Sequence, residues 1–450
     1  MFGAGSEGND VLSLRQLNRA ESPSGAMADA RRISTSLTRA FPSMTVPLVG
    51  APMDGASCGE LAAGTARGGA LGFIAGGSVE ENGEKLAREV AIYRSKAPPG
   101  APLCIGYIEQ KCVDRGGGSF NLILESLDEH RPDCVQLFAP CSDELLGAIE
   151  ARYPGTKILA QVGSVREARR VIAAGVWGVI CQGREAGGHG LRAEMGCGTL
   201  ALARRVVQIA DAAEATGARA VRPVILAAGG LVDGSGLAAA LCLGCDGAVM
   251  GTRLWATHES LGSAAQKRAL QEAENDDAVR TRVYDIIGNQ LADVPWKYPY
   301  DSCGVLCNEH THAYKYREDD LCIQAKAMSK ESLSEAKKAF TLSGEGVGSI
   351  ATIGNVQEVI EEVRREASVA LTLTHIRISP PLPSPSPSLS RADWDGMMER
   401  LAALLDGEGD LVSAMATVTC EVMHLGAGRF SWVGFYRWKP QPAPGVLIVG

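Results

Sequence analysis

Aromatic residues are scarce in this chain, at 5% of 450 residues, and it has no long hydrophobic run. A membrane-spanning helix needs about 20 consecutive apolar residues, so the sequence predicts a soluble protein without a membrane partner. An excess of basic residues is also missing: 44 lysines and arginines face 52 aspartates and glutamates, giving a net charge of −8. That balance disfavours nucleic-acid binding. Glycine, by contrast, is abundant, with 53 residues. Glycines serve as flexible filler or let the backbone approach a ligand closely.

Disulfide and metal signatures are lacking as well. The 13 cysteines are scattered without the spacing of a secreted disulfide framework, and Met1–Asp10 lacks the apolar core of a signal peptide. We therefore expect a reduced, cytoplasmic protein, although the arginines of Arg31–Arg39 leave organelle targeting open. The run Cys303-x3-Cys307-x2-His310-x-His312 has zinc-ligand types but not the usual spacing, and no metal site is expected.

Short apolar runs alternate with amphipathic stretches from residue 45 onward, and the sequence predicts eight such units. Near-continuous apolar strands separated by helices are typical of a parallel sheet with helices outside, and eight units match the (β/α)8 TIM barrel. A doubly wound open sheet is the alternative, because periodicity does not show closure. The predicted strands are Thr45–Met53, Ala70–Gly76, Pro102–Ile108, Asp133–Ala139, Thr156–Gly163, Val176–Gly183, Pro223–Gly230 and Cys245–Leu254.

Composition divides the chain into four predicted segments. Residues 1–44 are rich in glycine and serine and are expected to be flexible. Residues 45–375 form the barrel, including an irregular insertion, Asp285–Lys326, after the eighth unit. Residues 376–392 are a Pro/Ser-rich linker with five prolines between positions 380 and 387, a density that favours an extended spacer. Residues 393–450 form a further small segment with one amphipathic helical region and two strands.

Glycines follow the last two predicted strands, where barrels commonly bind phosphate. Strand seven ends in Gly229 and Gly230, and strand eight ends in Met250-Gly251-Thr252. Backbone N–H groups without a neighbouring Cβ can converge on an anion there. Any one of these glycines could equally make only a tight turn, but both expected strand ends carry them.

A histidine stands among glycines after the sixth predicted strand, in the run Gln182–Gly190 (QGREAGGHG). Its flanking glycines, Gly188 and Gly190, expose His189 at the rim where barrel enzymes place catalytic groups. Because imidazole accepts a proton near neutral pH, His189 is the predicted base. Glu185 in the same run could orient the loop or be solvated.

Two further strands place candidate ligand contacts at this rim. Strand one ends in Ala51-Pro52-Met53, where the proline stiffens the backbone and the thioether could face a flat ring. Gln161 is a polar residue in the otherwise apolar fifth strand, and a buried amide needs a hydrogen-bonding partner such as a ring carbonyl.

These motifs resemble the nitronate monooxygenase (2-nitropropane dioxygenase-like) family over residues 45–371. The resemblance is carried by Ala51-Pro52-Met53, the QGREAGGHG run, Ala227–Gly230 (AAGG), Met250–Thr252 (MGT) and the turn Gly344–Gly348. It implies a barrel that binds FMN non-covalently and oxidises alkyl nitronates or nitroalkanes with O2 to a carbonyl compound and nitrite. A homodimer is the candidate assembly.

The resemblance also implies roles for particular residues. His189 would abstract the substrate's α-proton or hydrogen-bond the nitronate. Gln182, Gly187, Gly230 and the run Val249, Met250, Gly251 and Thr252 match positions that hold the flavin and its phosphate. With the candidates from the strand ends, the expected cofactor site comprises Pro52, Met53, Gln161, Gln182, Gly183, Gly187, Gly188, Gly229, Gly230, Val249, Met250, Gly251 and Thr252.

One departure and two alternatives accompany this reading. Strand three carries Gly106 where many members have an asparagine that contacts flavin, which leaves the subclass open. The same barrel resembles flavin-dependent enoyl-acyl-carrier-protein and NADH:quinone reductases, which would use NAD(P)H. A non-catalytic flavin-binding sensor is the other alternative.

The C-terminal segment carries a second resemblance. Trp394–Leu405 followed by Phe430–Tyr436 is similar to the opening of the GAF-type free methionine-R-sulfoxide reductase. Cys420 does not match that family's redox cysteines, and the chain stops at Gly450 within a predicted sheet. We expect a truncated α+β GAF-like segment without that activity.

Overall fold

Our computed structural model describes residues 32–77, 79–112 and 120–377. Contacts divide the chain into two units, Met1–Leu371 and Thr372–Gly450, and the barrel lies in the first. The predicted linker 376–392, apart from its first two residues, and the GAF-like segment 393–450 lie outside the described residues. Both assignments stay predictions.

Eight parallel strands form the barrel, in the order β1-β9-β8-β6-β5-β4-β3-β2, and each falls within its predicted window except β2, which ends one residue beyond it at Gly77. A parallel bridge between Val49 and Leu71 joins the two ends of this order. The predicted (β/α)8 barrel is thereby confirmed, and the open sheet is not formed. The strands are β1 Leu48–Gly50, β2 Phe73–Gly77, β3 Cys104–Ile108, β4 Cys134–Phe138, β5 Lys157–Val162, β6 Gly178–Gln182, β8 Val224–Ala228 and β9 Gly247–Met250.

Helices alternate with the barrel strands and pack their apolar faces on the outside of the sheet. Serine and aspartate side chains cap several of them, as Ser164 does by accepting the N–H of Glu167. The helices between strands are Gly59–Arg67, Val79–Lys96, Asn121–His130, Asp143–Arg152, Val165–Ala173, Thr199–Ala215 and Gly234–Cys242.

The helix Val356–Arg377 completes the outer ring, because it packs against the first and last of these helices. Close approach depends on glycine: a Cβ at Gly64 would come within 2.4 Å of Val356, and one at Gly234 within 2.4 Å of the backbone of Ala367. Val359, Ile360 and Val363 of this helix are buried in the same core as the strands. The C-terminal helix of the barrel is thus part of its core.

Residues 32–44 close the N-terminal end of the barrel. The short helix Ser36–Ala40 buries Leu37, and Phe41 and Met44 join it in an apolar cluster with the barrel interior. Thr35 fastens the segment by donating its hydroxyl to the carbonyl of Asp246 at 2.7 Å. Residues 32–44 belong to the segment predicted to be flexible, but the structure holds them in place, because the side chains of Leu37, Phe41 and Met44 are buried.

The insertion after β9 covers the opposite, C-terminal end. Strand β11 (Ser302–Leu306) pairs antiparallel with β10 (Ala278–Thr281) on one side and with β7 (Gly188–Gly190) on the other, so the loop that carries His189 becomes part of a three-stranded sheet. The remaining helices of this part are Thr252–Trp255, Ala264–Glu272, Val283–Gly288, Glu309–Tyr314, Glu318–Ala327 and Lys330–Lys338, with 3-10 turns at Asn275–Asp277 and Val347–Ser349. A further 3-10 turn, Glu109–Lys111, follows β3.

Candidate active site

A cavity of about 510 Å3 opens at the C-terminal ends of the barrel strands. Its floor is made by strand ends and its cover by the insertion. Of the predicted site residues, the cavity is lined by Pro52, Met53, Gln161, Gln182, Gly187, Gly188, His189, Gly229, Gly230, Val249, Gly251 and Thr252.

Two predicted residues, Gly183 and Met250, do not line the cavity. Gly183 lies against the following helix, where an added Cβ would come within 2.0 Å of the Thr199 hydroxyl. Met250 is fully buried in the core between strands and helices, because side chains alternate between the two faces of a strand. Both positions therefore serve packing, next to neighbours that face the cavity.

One end of the cavity is a cradle of glycine backbone. Gly229 and Gly230 have φ angles of +117° and +69°, a region that disfavours other residues. Gly346 packs on this turn so closely that a Cβ there would lie 2.3 Å from the carbonyl oxygen of Gly230. Thr252 ties the two segments together, since its hydroxyl accepts the N–H of Gly344 at 3.0 Å. The turn at Gly344–Gly348 is thus a second layer of the cradle.

Three glutamines on adjacent strands line the cavity beside the cradle: Gln136, Gln161 and Gln182. The Gln136 amide donates to Oε1 of Gln161 at 2.6 Å, and the Gln182 amide donates to the carbonyl of His189 at 2.8 Å. Oε1 of Gln136 is buried and has no hydrogen-bond partner in the described part of the chain. A buried acceptor of this kind fits a ligand that supplies an N–H or O–H donor.

Pro52 and Met53 also line the cavity, Met53 beside Gly251 and Pro52 beside Gly106. Met53 donates its backbone N–H to the Ser57 hydroxyl at 2.9 Å, which orients the strand end. The ring of Pro52 occupies the space in front of Gly106, where an added Cβ would come within 2.3 Å of the proline Cγ. Gly106 is therefore required by Pro52, and a longer side chain has no room there.

His189 forms a hydrogen bond with a carboxylate from the insertion. Its Nε2 lies 2.7 Å from Oδ1 of Asp285, whose side chain is 2% exposed. The ring Nδ1 lies 3.9 Å from Sγ of Cys303, the residue opposite His189 in the β7–β11 pairing. Burial raises the pKa of Cys303 well above its ordinary value, so this neighbour is a neutral thiol.

Aromatic side chains enclose the histidine. Trp296 stacks on the imidazole with ring centroids 3.7 Å apart, and Tyr284 approaches it edge-on at 5.7 Å. The ammonium of Lys111 lies 4.9 Å from the Trp296 ring centroid and also contacts the carbonyl of Val294. Burial raises the pKa of Tyr284, so its phenol is neutral at physiological pH.

Arg280 holds the histidine loop from behind. Its guanidinium donates to the carbonyls of Ala186 at 2.7 Å and Gly188 at 3.2 Å, and also to those of Arg184 and Ser302. Desolvation lowers the pKa of Arg280. Glu185, from the same loop, is not simply solvated: it accepts the N–H of Thr199 at 2.8 Å and caps the following helix.

Several of these residues carry no signal in the sequence. Arg280, Asp285 and Trp296 lie 91 to 107 positions after His189, Arg280 just before the predicted insertion and the other two within it, so no spacing connects them to His189. Gln136 lies in the predicted fourth strand, and a polar side chain within that apolar run is the sequence feature that could have indicated a site residue.

The Cys303–His312 run does not form a metal centre in the part of the chain that the structure describes. No group of three or more His, Cys, Asp or Glu side chains there could hold a metal ion. His310 stacks on Phe340, and Cys303 faces His189. Among the described helices, none combines the length and apolar character needed to cross a bilayer.

A glycine cradle, a row of amides and a histidine–carboxylate pair lie together at the C-terminal end of a (β/α)8 barrel, an arrangement that fits the class of barrel enzymes with a bound, phosphate-bearing cofactor. The chain belongs to the nitronate monooxygenase family, whose profile matches residues 139–366. Enzymes of this family depend on FMN.

Individual relatives agree with this family. A nitronate monooxygenase from Neurospora crassa is 28% identical over 369 residues, covering 75% of this chain and 93% of that protein. The crystal structure of a nitroalkane oxidase from Streptomyces ansochromogenes superposes with a TM-score of 0.58 at 25% identity, covering 75% of this chain and 99% of the other. FabK from Thermotoga maritima, at 24% identity and a TM-score of 0.60, covers 77% of this chain and 100% of its own, and shows the fold alone.

Proposed function

We propose that this protein uses FMN to oxidise alkyl nitronates, or the nitroalkanes from which they derive, with O2 to a carbonyl compound and nitrite. The observation that carries the proposal is the His189–Asp285 pair at the mouth of a glycine-lined cavity, in a chain of the nitronate monooxygenase family. A small organic substrate and O2 are the partners that this reaction requires.

The cavity residues fit a flavin mononucleotide. The backbone of Gly229, Gly230 and Gly251, with the Thr252 hydroxyl, offers small residues and donors for a phosphate. The unpartnered Oε1 of Gln136 offers an acceptor for an N–H group at a ring edge. We assign cofactor contacts to the predicted residues that line the cavity: Pro52, Met53, Gln161, Gln182, Gly187, Gly188, Gly229, Gly230, Val249, Gly251 and Thr252.

The redox chemistry between nitronate and O2 is supplied by FMN when it is bound. The protein's own residues bind and orient the substrate and move a proton. His189 accepts the α-proton of a neutral nitroalkane, or donates a hydrogen bond to the oxygens of a nitronate. Trp296 and Tyr284 enclose His189 and limit the access of water to it.

Purified protein should be yellow, consume O2 with propyl-2-nitronate and release nitrite. Mixing it anaerobically with the nitronate and, separately, with NADH distinguishes the candidate activities. Fast bleaching of the flavin absorbance by the nitronate is the expected result. Fast bleaching by NADH alone would favour the reductase alternative, and binding of FMN without turnover of either would favour the sensor.

We extend the proposal to location and assembly. The described cysteines are all free thiols, which supports a reducing compartment and hence the cytoplasm. A homodimer is the assembly we expect. Light scattering during size-exclusion chromatography measures it, and a monomer mass would contradict it.

A further inference from the structure

Asp285 differs from the other buried carboxylates of the described chain in what it contacts. Four acidic side chains there are buried: Glu109, Asp246, Asp285 and Asp301. Glu109 accepts the N–H of Ser142, while Asp246 pairs with Arg222 and Asp301 pairs with Arg192. Asp285 has His189 on Oδ1 and no partner on Oδ2. Burying a carboxylate is costly, and among the described residues the imidazole is the hydrogen-bond partner that offsets this cost, with the charge of Arg280 nearby.

The two ring nitrogens of His189 have different neighbours, and these neighbours indicate which nitrogen carries the hydrogen. Asp285 lies 2.7 Å from Nε2, a strong hydrogen-bond distance. Among the described residues, the polar neighbour of Nδ1 is the neutral thiol of Cys303, at the long distance of 3.9 Å. A carboxylate can only accept, so Nε2 carries the hydrogen and Nδ1 keeps its lone pair.

We propose that Asp285 is a positioning residue that fixes the Nε2–H tautomer of His189 and makes Nδ1 the atom that takes the substrate's α-proton. This inference rests on the proposed function. In the step, the C–H bond of the nitroalkane breaks, its electron pair stays in the nitronate, and an N–H bond forms at Nδ1. The carboxylate of Asp285 stabilises the imidazolium that results.

The main experiment compares a neutral nitroalkane with its nitronate, which needs no deprotonation. Asp285→Asn keeps the shape of the side chain, but its amide can donate to Nε2 and stabilise the opposite tautomer. We expect kcat with the nitroalkane to fall by about 10^2- to 10^4-fold. Turnover of the nitronate should stay within about fivefold, and flavin absorbance and Tm should match the wild type.

A conservative variant and a double variant separate positioning from structural support. Asp285→Glu keeps a carboxylate and should retain at least ten times the nitroalkane turnover of Asp285→Asn. The double variant His189→Asn/Asp285→Asn should be no slower than His189→Asn alone, because residues that act as a unit are not additive. Asp246→Asn is the matched control: a buried carboxylate at the other end of the barrel, whose loss should change neither turnover.

A measurement on the unaltered protein does not depend on whether the variants fold. In protein labelled with 15N-histidine, the His189 signals, identified by their loss in His189→Asn, should show a protonated Nε2 and an unprotonated Nδ1. The opposite tautomer would overturn the inference.

The kinetic outcomes that contradict the inference are distinct from failure of the proposed function. Equal losses on nitroalkane and nitronate in Asp285→Asn, or no loss on either, would overturn the positioning role. If the wild-type enzyme turns over the nitronate but not the nitroalkane, then His189 does not accept the substrate's proton, and the inference is wrong. Absence of wild-type turnover with both substrates would instead overturn the proposed function, and the inference would fall with it.

Discussion

Trp296 lies flat against His189, with ring centroids 3.7 Å apart and the ring planes 12° from parallel. The Asn289 side chain holds the backbone of Trp296 through two hydrogen bonds. The amide oxygen of Asn289 accepts the Trp296 N–H at 2.8 Å, and the Asn289 NH2 group donates to the Trp296 carbonyl at 3.1 Å. The segment that covers the cavity is therefore anchored at the residue that touches the predicted base.

Replacement of Trp296 by alanine should weaken substrate binding. The indole forms one wall around His189, and aromatic pairs contribute about 0.5–1.5 kcal/mol beyond their buried area. We expect KM for both nitroalkane and nitronate to rise about three- to tenfold in steady-state assays. Trp177→Ala, at the Phe41 end of the barrel, is the control and should lower Tm without changing KM. An unchanged KM in Trp296→Ala would contradict the assignment of this wall.

Replacement of His189 by asparagine should affect the two substrates differently. Without a base, turnover of neutral nitroalkane should fall by about 10^2- to 10^4-fold, the range of general acid–base contributions. The nitronate has already lost the proton, so its turnover should stay within about tenfold. His258→Asn is the control, because His258 is exposed and does not line the cavity. Unchanged turnover on the neutral substrate would show that His189 is not the base.

Gly106 should not tolerate the asparagine that many relatives carry. Its Cβ would come within 2.3 Å of Pro52, so Gly106→Asn must displace a residue of the cavity wall. Overpacking of this kind costs about 1–3 kcal/mol, and we expect both a lower Tm and a raised Kd for FMN by fluorescence titration. Gly147→Ala is the matched control, since nothing lies within 4 Å of its Cβ and alanine favours its helix. A Gly106→Asn protein with tighter FMN binding would contradict this account.

Arg280→Met should loosen the loop that carries His189. The guanidinium donates to four carbonyls, and hydrogen bonds from a charged group contribute about 1.5–3 kcal/mol each at most. We expect a clear drop in Tm and a loss of turnover on both substrates. Arg204→Met removes an exposed arginine with one carbonyl contact and should leave both unchanged. Equal Tm values for the two variants would argue against the anchoring role.

The strands were predictable because each is an apolar run bounded by turns, a local property of the chain. The run at Cys104–Ile108, for example, lies inside the window Pro102–Ile108. The turn at Gly229 and Gly230 was equally predictable, because the positive φ angles that favour glycine are a local property of that turn. The order around the barrel follows from short right-handed connections between parallel strands.

Other features depended on contacts between distant segments. Residues 32–44 read as flexible from composition, but Leu37, Phe41 and Met44 find an apolar surface at the end of the barrel. Gly183 and Met250 are expected among the cofactor contacts, but neither lines the cavity: Met250 packs in the core because side chains alternate along a strand, and Gly183 packs against Thr199 of the following helix.

The sequence alone determined the barrel, the glycine-bearing strand ends and the place of His189 at the rim, because hydrophobic period and turn chemistry are local; the exposure expected for His189 was wrong, since its side chain is only 13% exposed. Only the tertiary structure decided what surrounds that histidine. Asp285 and Trp296 follow His189 by 96 and 107 positions. The pairing of β7 with β11 and the fold of the insertion bring Oδ1 of Asp285 to 2.7 Å from Nε2 of His189 and the Trp296 ring centroid to 3.7 Å from that of the imidazole. Contacts of that kind depend on how the whole chain closes over the cavity, and no local pattern encodes them.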